Sequence, residues 1–345
     1  MMRQFLNVPA MLICIAFFLP GAVHSQGPRY YQIEPVGHKV IGNSLYHSIT
    51  LLDMRADKQL IGIIDPGKTP ADSAQKFLFR DSVQQQLGAL LDALTDNTAG
   101  GGELLFQLRR FHFIERFGSR FCYLSAILYA KTGDRYLRLS LLDTTFVLTG
   151  SVRDLNGDAN KTLTNFLAGA LLLNGSGEGA AYSRQDIENL DNLTKQRFPL
   201  YTNTQYADGI YNNSTSFLNQ TPDWQGYVDT QKDGTITGLY TVNSKGNRMH
   251  EKHSAFAVVY HGVPYIETVY GFYPLEKVDG NIYVTADVRI PLRDGQKAVQ
   301  RIAIGVIPSA LVSEGIRCRY RLVFDPVARK FLHQQLLQSA DERFR

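Results

Sequence analysis

The stretch Phe121-Cys-Tyr-Leu-Ser-Ala-Ile-Leu-Tyr-Ala130 alternates Phe121, Tyr123, Ser125, Ile127 and Tyr129 with Cys122, Leu124, Ala126 and Leu128. A period of two is that of a strand. Both sets are largely apolar, so one face packs on a helix and the other on a neighbour. Two more strands flank it. Residues 103–115 precede it across Arg116-Phe-Gly-Ser119, and residues 135–149 follow the turn Lys131-Thr-Gly-Asp134. Glycine in each connection supplies the positive φ that tight turns need.

Working outward, residues 44–54 form a β-rich run closing at Asp53-Met-Arg55, followed by a loop with Asp65-Pro66-Gly67 and Pro70. Asp81-Ser82 then starts a helix. Its Val83, Leu87, Leu90, Leu91 and Leu94 fall at i, i+4, i+7, i+8 and i+11, which is one helical face. The run Gly100-Gly-Gly102 ends it. A second helix over 161–173 turns Leu163, Phe166, Leu167, Ala170 and Leu171 inward. The order βαβββα predicts an α+β domain over 26–173, a small antiparallel sheet with helices on one face.

Asp53-x-Arg55, then Ile61-Gly62, the amphipathic helix and the long hairpin resemble bacterial envelope proteins of the YajG type. The N-terminal domain of TolB has a related layout. The resemblance spans 46–173 and implies a non-catalytic accessory role in envelope assemblies, whose members are often lipid-anchored.

Residues 174–223 read as a glycine hinge, Asn174-Gly-Ser-Gly-Glu-Gly179, and a short helix linker. Ser183 caps that helix, which runs to about Arg197, with Asp186 as its acidic capping partner. Residues 224–345 predict a mostly β antiparallel domain. Strand-like runs fall at 225–230, 235–242, 254–260, 264–270, 282–289, 299–307, 316–324 and 330–337. The turns Asp233-Gly234, His261-Gly262, Asp279-Gly280 and Asp294-Gly295 separate several of them. Asp208-Gly-Ile-Tyr211 with Phe217, Asn219 and Pro222 is similar to a module of uncharacterised secreted proteins of Gram-negative bacteria. The run from Ala255 to Ile266, with Tyr270-Gly-Phe-Tyr273, fits the second part of that module. The resemblance implies a module and no activity.

Residues 1–25 have the order of a secretory signal peptide. Arg3 is the only charge before Arg29, and an apolar run reaches Leu19 before Pro20-Gly21 and Val23-His-Ser25. A spanning helix needs about 20 apolar residues, and this run is shorter. Cys14 follows Ile13 rather than a small residue, so it does not read as a lipid-attachment site. The expectation is a periplasmic or secreted chain that reaches a membrane only indirectly, through a partner.

A hydrophobic content of 44% with 20% charged residues is that of a globular protein. Between Tyr30 and Leu173, 15 Lys/Arg stand against 14 Asp/Glu, so no basic face points to nucleic acid. Cys122 and Cys318 are expected as buried free thiols, with an inter-domain bridge as the alternative.

The chemistry-bearing clusters are thin. His250-Glu-Lys-His253 with His261 lacks the four-residue histidine spacing of a zinc helix. Asp154-Leu-Asn-Gly-Asp158-Ala-Asn160 begins like a calcium loop but has Ala159 and Asn165 where Gly and Glu belong. A helix cap at Asp158 or Asn160 explains the same residues. No nucleophile elbow or phosphate loop appears, and paired carboxylates such as Glu267 and Glu276 are indistinguishable from solvated strand residues. No cofactor, metal or catalytic residue is assigned. The candidate interaction surface is the aromatic series Tyr260, Tyr265, Tyr270, Phe272, Tyr273 and Tyr283, suited to sugar stacking or a partner chain. The expected function is non-catalytic binding or scaffolding of an envelope protein or glycan. A hydrolase of envelope polysaccharide or peptide is the alternative.

Overall fold

A computed structural model describes residues 27–339 apart from 38, 65–74, 97, 117–118, 149–154, 174–180, 233–234, 251–254 and 292–314. The expected signal peptide, the expected glycine hinge at 174–179, the expected strand at 299–307 and the turns Asp233-Gly234 and Asp294-Gly295 lie outside the described residues.

The front half contains β1 (Arg29–Tyr31), β2 (Tyr46–Asp53), β3 (Leu60–Ile64), β4 (Gln75–Phe79), α1 (Val83–Leu94), β5 (Gly102–Arg116), β6 (Ser119–Thr132), β7 (Arg135–Leu148) and α2 (Leu155–Leu171). The three long strands form an antiparallel meander with the expected boundaries to within three residues. The sheet as a whole is mixed rather than antiparallel, because β2 and β3 both run parallel to β5. The reason is topological. A parallel neighbour needs a crossover, and α1 between β2 and β5 supplies one. The short strands β1, β3 and β4 extend the sheet. Gly62 is required where β3 meets β5, since a Cβ there would lie 2.3 Å from the Phe113 carbonyl oxygen.

One face of this sheet carries Leu104, Phe106, Leu108, Phe111, Phe113, Cys122 and Leu124, packed under α1 and α2. The parity along β5 changes from even to odd after Leu108. Leu108 opposes Ala126 and Arg110 opposes Ser125, so Arg109 is the extra residue of a β-bulge. The bulge keeps phenylalanines in the core and puts two consecutive arginines on the other face. Helix α2 begins six residues earlier than expected, so Asp158 and Asn160 lie within it rather than capping it. Buried Asn160 instead accepts the Tyr31 hydroxyl and donates to the Gln32 carbonyl at 3.0 Å.

Segment 174–223 is more than a linker. It holds α3 (Arg184–Glu188), α4 (Leu190–Gln196), α5 (Pro199–Thr202), β8 (Gly209–Tyr211) and α6 (Ser214–Leu218). Ser183 and Asp186 form the expected reciprocal capping box. Ile187 of α3 packs on Leu105, Ile127 and Tyr129, so helices cover both faces of the front sheet, not one. A strand apolar on both sides requires that second cover.

The back half adds β9 (Tyr227–Thr230), β10 (Ile236–Val242), β11 (Arg248–His250), β12 (Ala257–Tyr260), β13 (Val263–Thr268), β14 (Gly271–Val278), β15 (Asn281–Pro291), β16 (Gly315–Asp325) and β17 (Lys330–Ser339). It is antiparallel throughout, as expected: β17-β16-β15-β14-β13-β12-β8 form one sheet and β11-β10-β9 another. Strand β8 belongs to the large sheet because Tyr211 is fully buried and pairs with Ala257. The fold is α+β, with strand predominating.

The halves meet along a polar seam. Arg109 donates to Asp191 of α4 at 2.6 Å and to Asp325 at the end of β16 at 3.1 Å. Lys330 of β17 pairs with Asp143 of β7 at 2.6 Å. Cys122 and Cys318 are both buried and unbridged, one in each half.

Candidate functional site

The aromatic series does not form one surface. Tyr273 opposes Ile266 and joins the core beneath the large sheet, where burial pushes its hydroxyl pKa up. Tyr260 and Phe272 pack on Ile210, Leu239, Ala255 and Val258, between the large and the small sheet. Tyr265 lies half-buried opposite Val258. Tyr270 and Tyr283 stand in a charged neighbourhood, against arginines, and Tyr273 reaches Asp287 and Arg317 from its more buried position.

That neighbourhood is an arginine ladder. The register pairs Arg289 with Arg317, Asp287 with Arg319 and Thr285 with Arg321, next to Tyr283 opposite Val323. Alternation puts these residues on one face of β15 and β16, while Val284, Ala286, Cys318, Tyr320 and Leu322 enter the core. The source is the run Arg317-Cys-Arg-Tyr-Arg321, with arginine at every second position. A pitch of about 3.4 Å per residue spreads the three guanidiniums over roughly 14 Å.

Each arginine next to a ring is held by it. The Arg321 guanidinium lies 4.5 Å from the Tyr283 ring centre, and Arg317 and Arg289 lie 4.6 Å and 5.7 Å from that of Tyr270. Arg317 also donates to Asp287, a carboxylate only 2% exposed, and this bond raises the guanidinium's pKa. Arg317 and Arg319 remain solvent-exposed, and Arg321 is half-buried. The arrangement is a cationic and aromatic surface. It suits oxyanions, which guanidinium forks bind in two-point fashion.

The remaining candidates are not drawn together. Glu267 accepts the Ala255 N–H at 2.6 Å, and burial raises its carboxyl pKa. It opposes Phe272, four residues along β14 from exposed Glu276, or about 13 Å at the strand pitch. His261 sits in the β12–β13 turn with φ of 52° and its ring 4.0 Å from that of Tyr260. His253 and Asp154 lie outside the described residues. Among the described residues no His, Cys, Asp and Glu group has the geometry to hold a metal ion. No helix among them is long and apolar enough to cross a membrane. Sequence reasoning named the tyrosines and missed the arginines. The alternating triplet at 317–321 was the available signal.

No protein-family model and no curated protein matches the chain. Among solved structures it is weakly similar to a Xanthomonas campestris protein of the DUF330 family, at 14% identity and a TM-score of 0.25, over 44% of this chain and 95% of that one. A second, uncharacterised protein matches at 12% identity and a TM-score of 0.24, over 41% of this chain and 97% of that one. The likeness is a distant one to uncharacterised bacterial proteins.

Proposed function

We propose that the protein is a non-catalytic component of a bacterial cell envelope, periplasmic or secreted, that binds an anionic envelope glycan. The observation that carries this reading is the Arg–Tyr face of β15 and β16. Stacking on Tyr270 and Tyr283 restrains Arg317 and Arg321 before any ligand arrives, which lowers the ordering cost of binding. Their N–H forks take carboxylates or other oxyanions of the polymer, and the ring edges offer apolar contact to sugars. Any association with a membrane is then indirect, through the bound partner.

The test is retention of the purified chain on immobilised alginate, a uronate polymer, against neutral dextran. The expected result is salt-sensitive retention on alginate alone, weakened at least tenfold when Arg317→Gln, Arg319→Gln and Arg321→Gln are combined. Equal retention on both matrices, or turnover of a polysaccharide by the chain, overturns the reading.

A further inference from the structure

The bulge in β5 builds a second feature, remote from the arginine ladder. Between the front sheet, helices α3 and α4 and the end of β16 lies a cleft of 180 Å³. Arg109, Arg110 and Ser125 line it, together with Glu188, Asp191 and Asp325. Its hydrogen-bonding capacity is lopsided.

The acceptors are already engaged. Asp325 takes Arg109 and, through Oδ1, the N–H groups of Val327 and Ala328 at 2.9 Å and 3.0 Å. Asp191 takes Arg109, and Glu188 takes Arg184 at 2.9 Å. Gln107, also in the lining, accepts the Tyr129 hydroxyl and donates to the Ile187 carbonyl.

The donors are in surplus. Ser125 is 4% exposed and its Oγ has no hydrogen-bond partner. The Arg109 side chain is 10% exposed and its Nε likewise has none. Arg110, directly across the ladder from Ser125, brings a guanidinium with five N–H donors. Its neighbours Asp325 and Asp143 attract it at longer range without a hydrogen bond. Burial outweighs that attraction and holds its pKa below the ordinary arginine value. Buried unpaired donors and a half-buried cation both favour an oxygen acceptor that carries charge.

We infer that this cleft is a binding site for a small monocarboxylate, whose oxygens accept from Arg110 and Ser125. One negative charge answers the guanidinium of Arg110. A dianion would meet Asp325, Asp191 and Glu188 around the same walls. The site is independent of the glycan reading and stands if that reading fails.

Titration of the full chain with sodium propionate, sodium phosphate and sodium chloride at matched ionic strength, followed by thermal unfolding and by isothermal calorimetry, tests it. Propionate should raise the unfolding temperature of the natural chain saturably, and more than phosphate or chloride does. Arg110→Gln should weaken the apparent affinity at least tenfold, and Ser125→Ala by a smaller factor. Should Arg110→Gln fail to fold, Ser125→Ala carries the same comparison. No saturable effect of propionate, an equal effect in the variants, or a preference for phosphate overturns the assignment.

Discussion

Strand β5 turns Arg109 and Arg110 into the seam between the halves, whereas β16 turns Arg317, Arg319 and Arg321 toward solvent. The first placement needs a bulge, because plain alternation would put consecutive residues on opposite faces. The second needs alternation alone. Arg109 is buried and fixed by two carboxylates from other elements. Arg319 is exposed, between Arg317 and Arg321 along β16 and opposite Asp287. In the seam a guanidinium is part of what holds the halves together. On the open face Arg319 adds little to folding and is available for a partner, whereas Arg317 also holds the buried Asp287 carboxylate. The comparison therefore assigns stability to Arg109 and recognition to Arg319, and each assignment can be broken separately.

The largest effect is expected at Arg109. Arg109→Met leaves the Asp325 side chain, 11% exposed, without its hydrogen-bonded cation. Removing one member of a buried pair costs about 3–5 kcal/mol, to be read from urea denaturation midpoints. Adding Asp325→Asn should recover part of that loss, which a double-mutant cycle measures. A cost below about 1 kcal/mol, the range of exposed pairs, would erase the contrast between the two clusters.

Acid should report on the seam with the next largest effect. Burial is the largest influence on the Asp325 carboxyl and pushes its pKa up, but Arg109, the Ala328 N–H and Arg110 together outweigh it. The net value in the folded protein lies below the ordinary one, near 3.9 in an unfolded chain. Such a group contributes stability above the unfolded value and loses it as pH falls through the folded value. Urea midpoints of the natural chain should therefore drop below about pH 4 more steeply than those of Asp325→Asn. Parallel curves would mean that Asp325 is not held ionised by the seam. The β16 arginines contribute no such step, because guanidinium stays charged throughout this range.

The two clusters also differ in how readily the sequence discloses them. The meander from β5 to β7 and helix α1 follow from alternation and from Val83, Leu87, Leu90, Leu91 and Leu94, and the structure keeps them nearly residue for residue. The bulge was legible in principle. Leu104, Phe106 and Leu108 share one parity, Phe111 and Phe113 the other, and only an extra residue reconciles them in one core. Strands β1, β3 and β8 escape notice because three to five residues carry too little periodicity to stand out from loops. The seam was hidden for a different reason. Arg109, Asp191 and Asp325 are separated by 82 and 216 positions from the arginine, and no local pattern ties them together. The tyrosine series was legible as residues but not as a face, since register decides which of them meet.

The smallest expected change in stability, and the cleanest test of the recognition half, belongs to Arg319→Gln. Arg317 is a poorer probe, because its removal strands the carboxylate of Asp287, which is 2% exposed and hydrogen-bonded to it. A loss of binding there would mix recognition with damage to the sheet. Arg319 opposes Asp287 in register but stays exposed. Its replacement by an uncharged side chain of similar reach should move the unfolding free energy by no more than about 0.5 kcal/mol. Affinity for alginate should nonetheless fall about fivefold, on the order of 1 kcal/mol, and the salt dependence of retention should flatten. A stability loss as large as that of Arg109→Met would make the ladder a structural device like the seam. Unchanged retention with unchanged stability would remove Arg319 from the binding face and shift recognition to the ring-stacked arginines, Arg317 and Arg321.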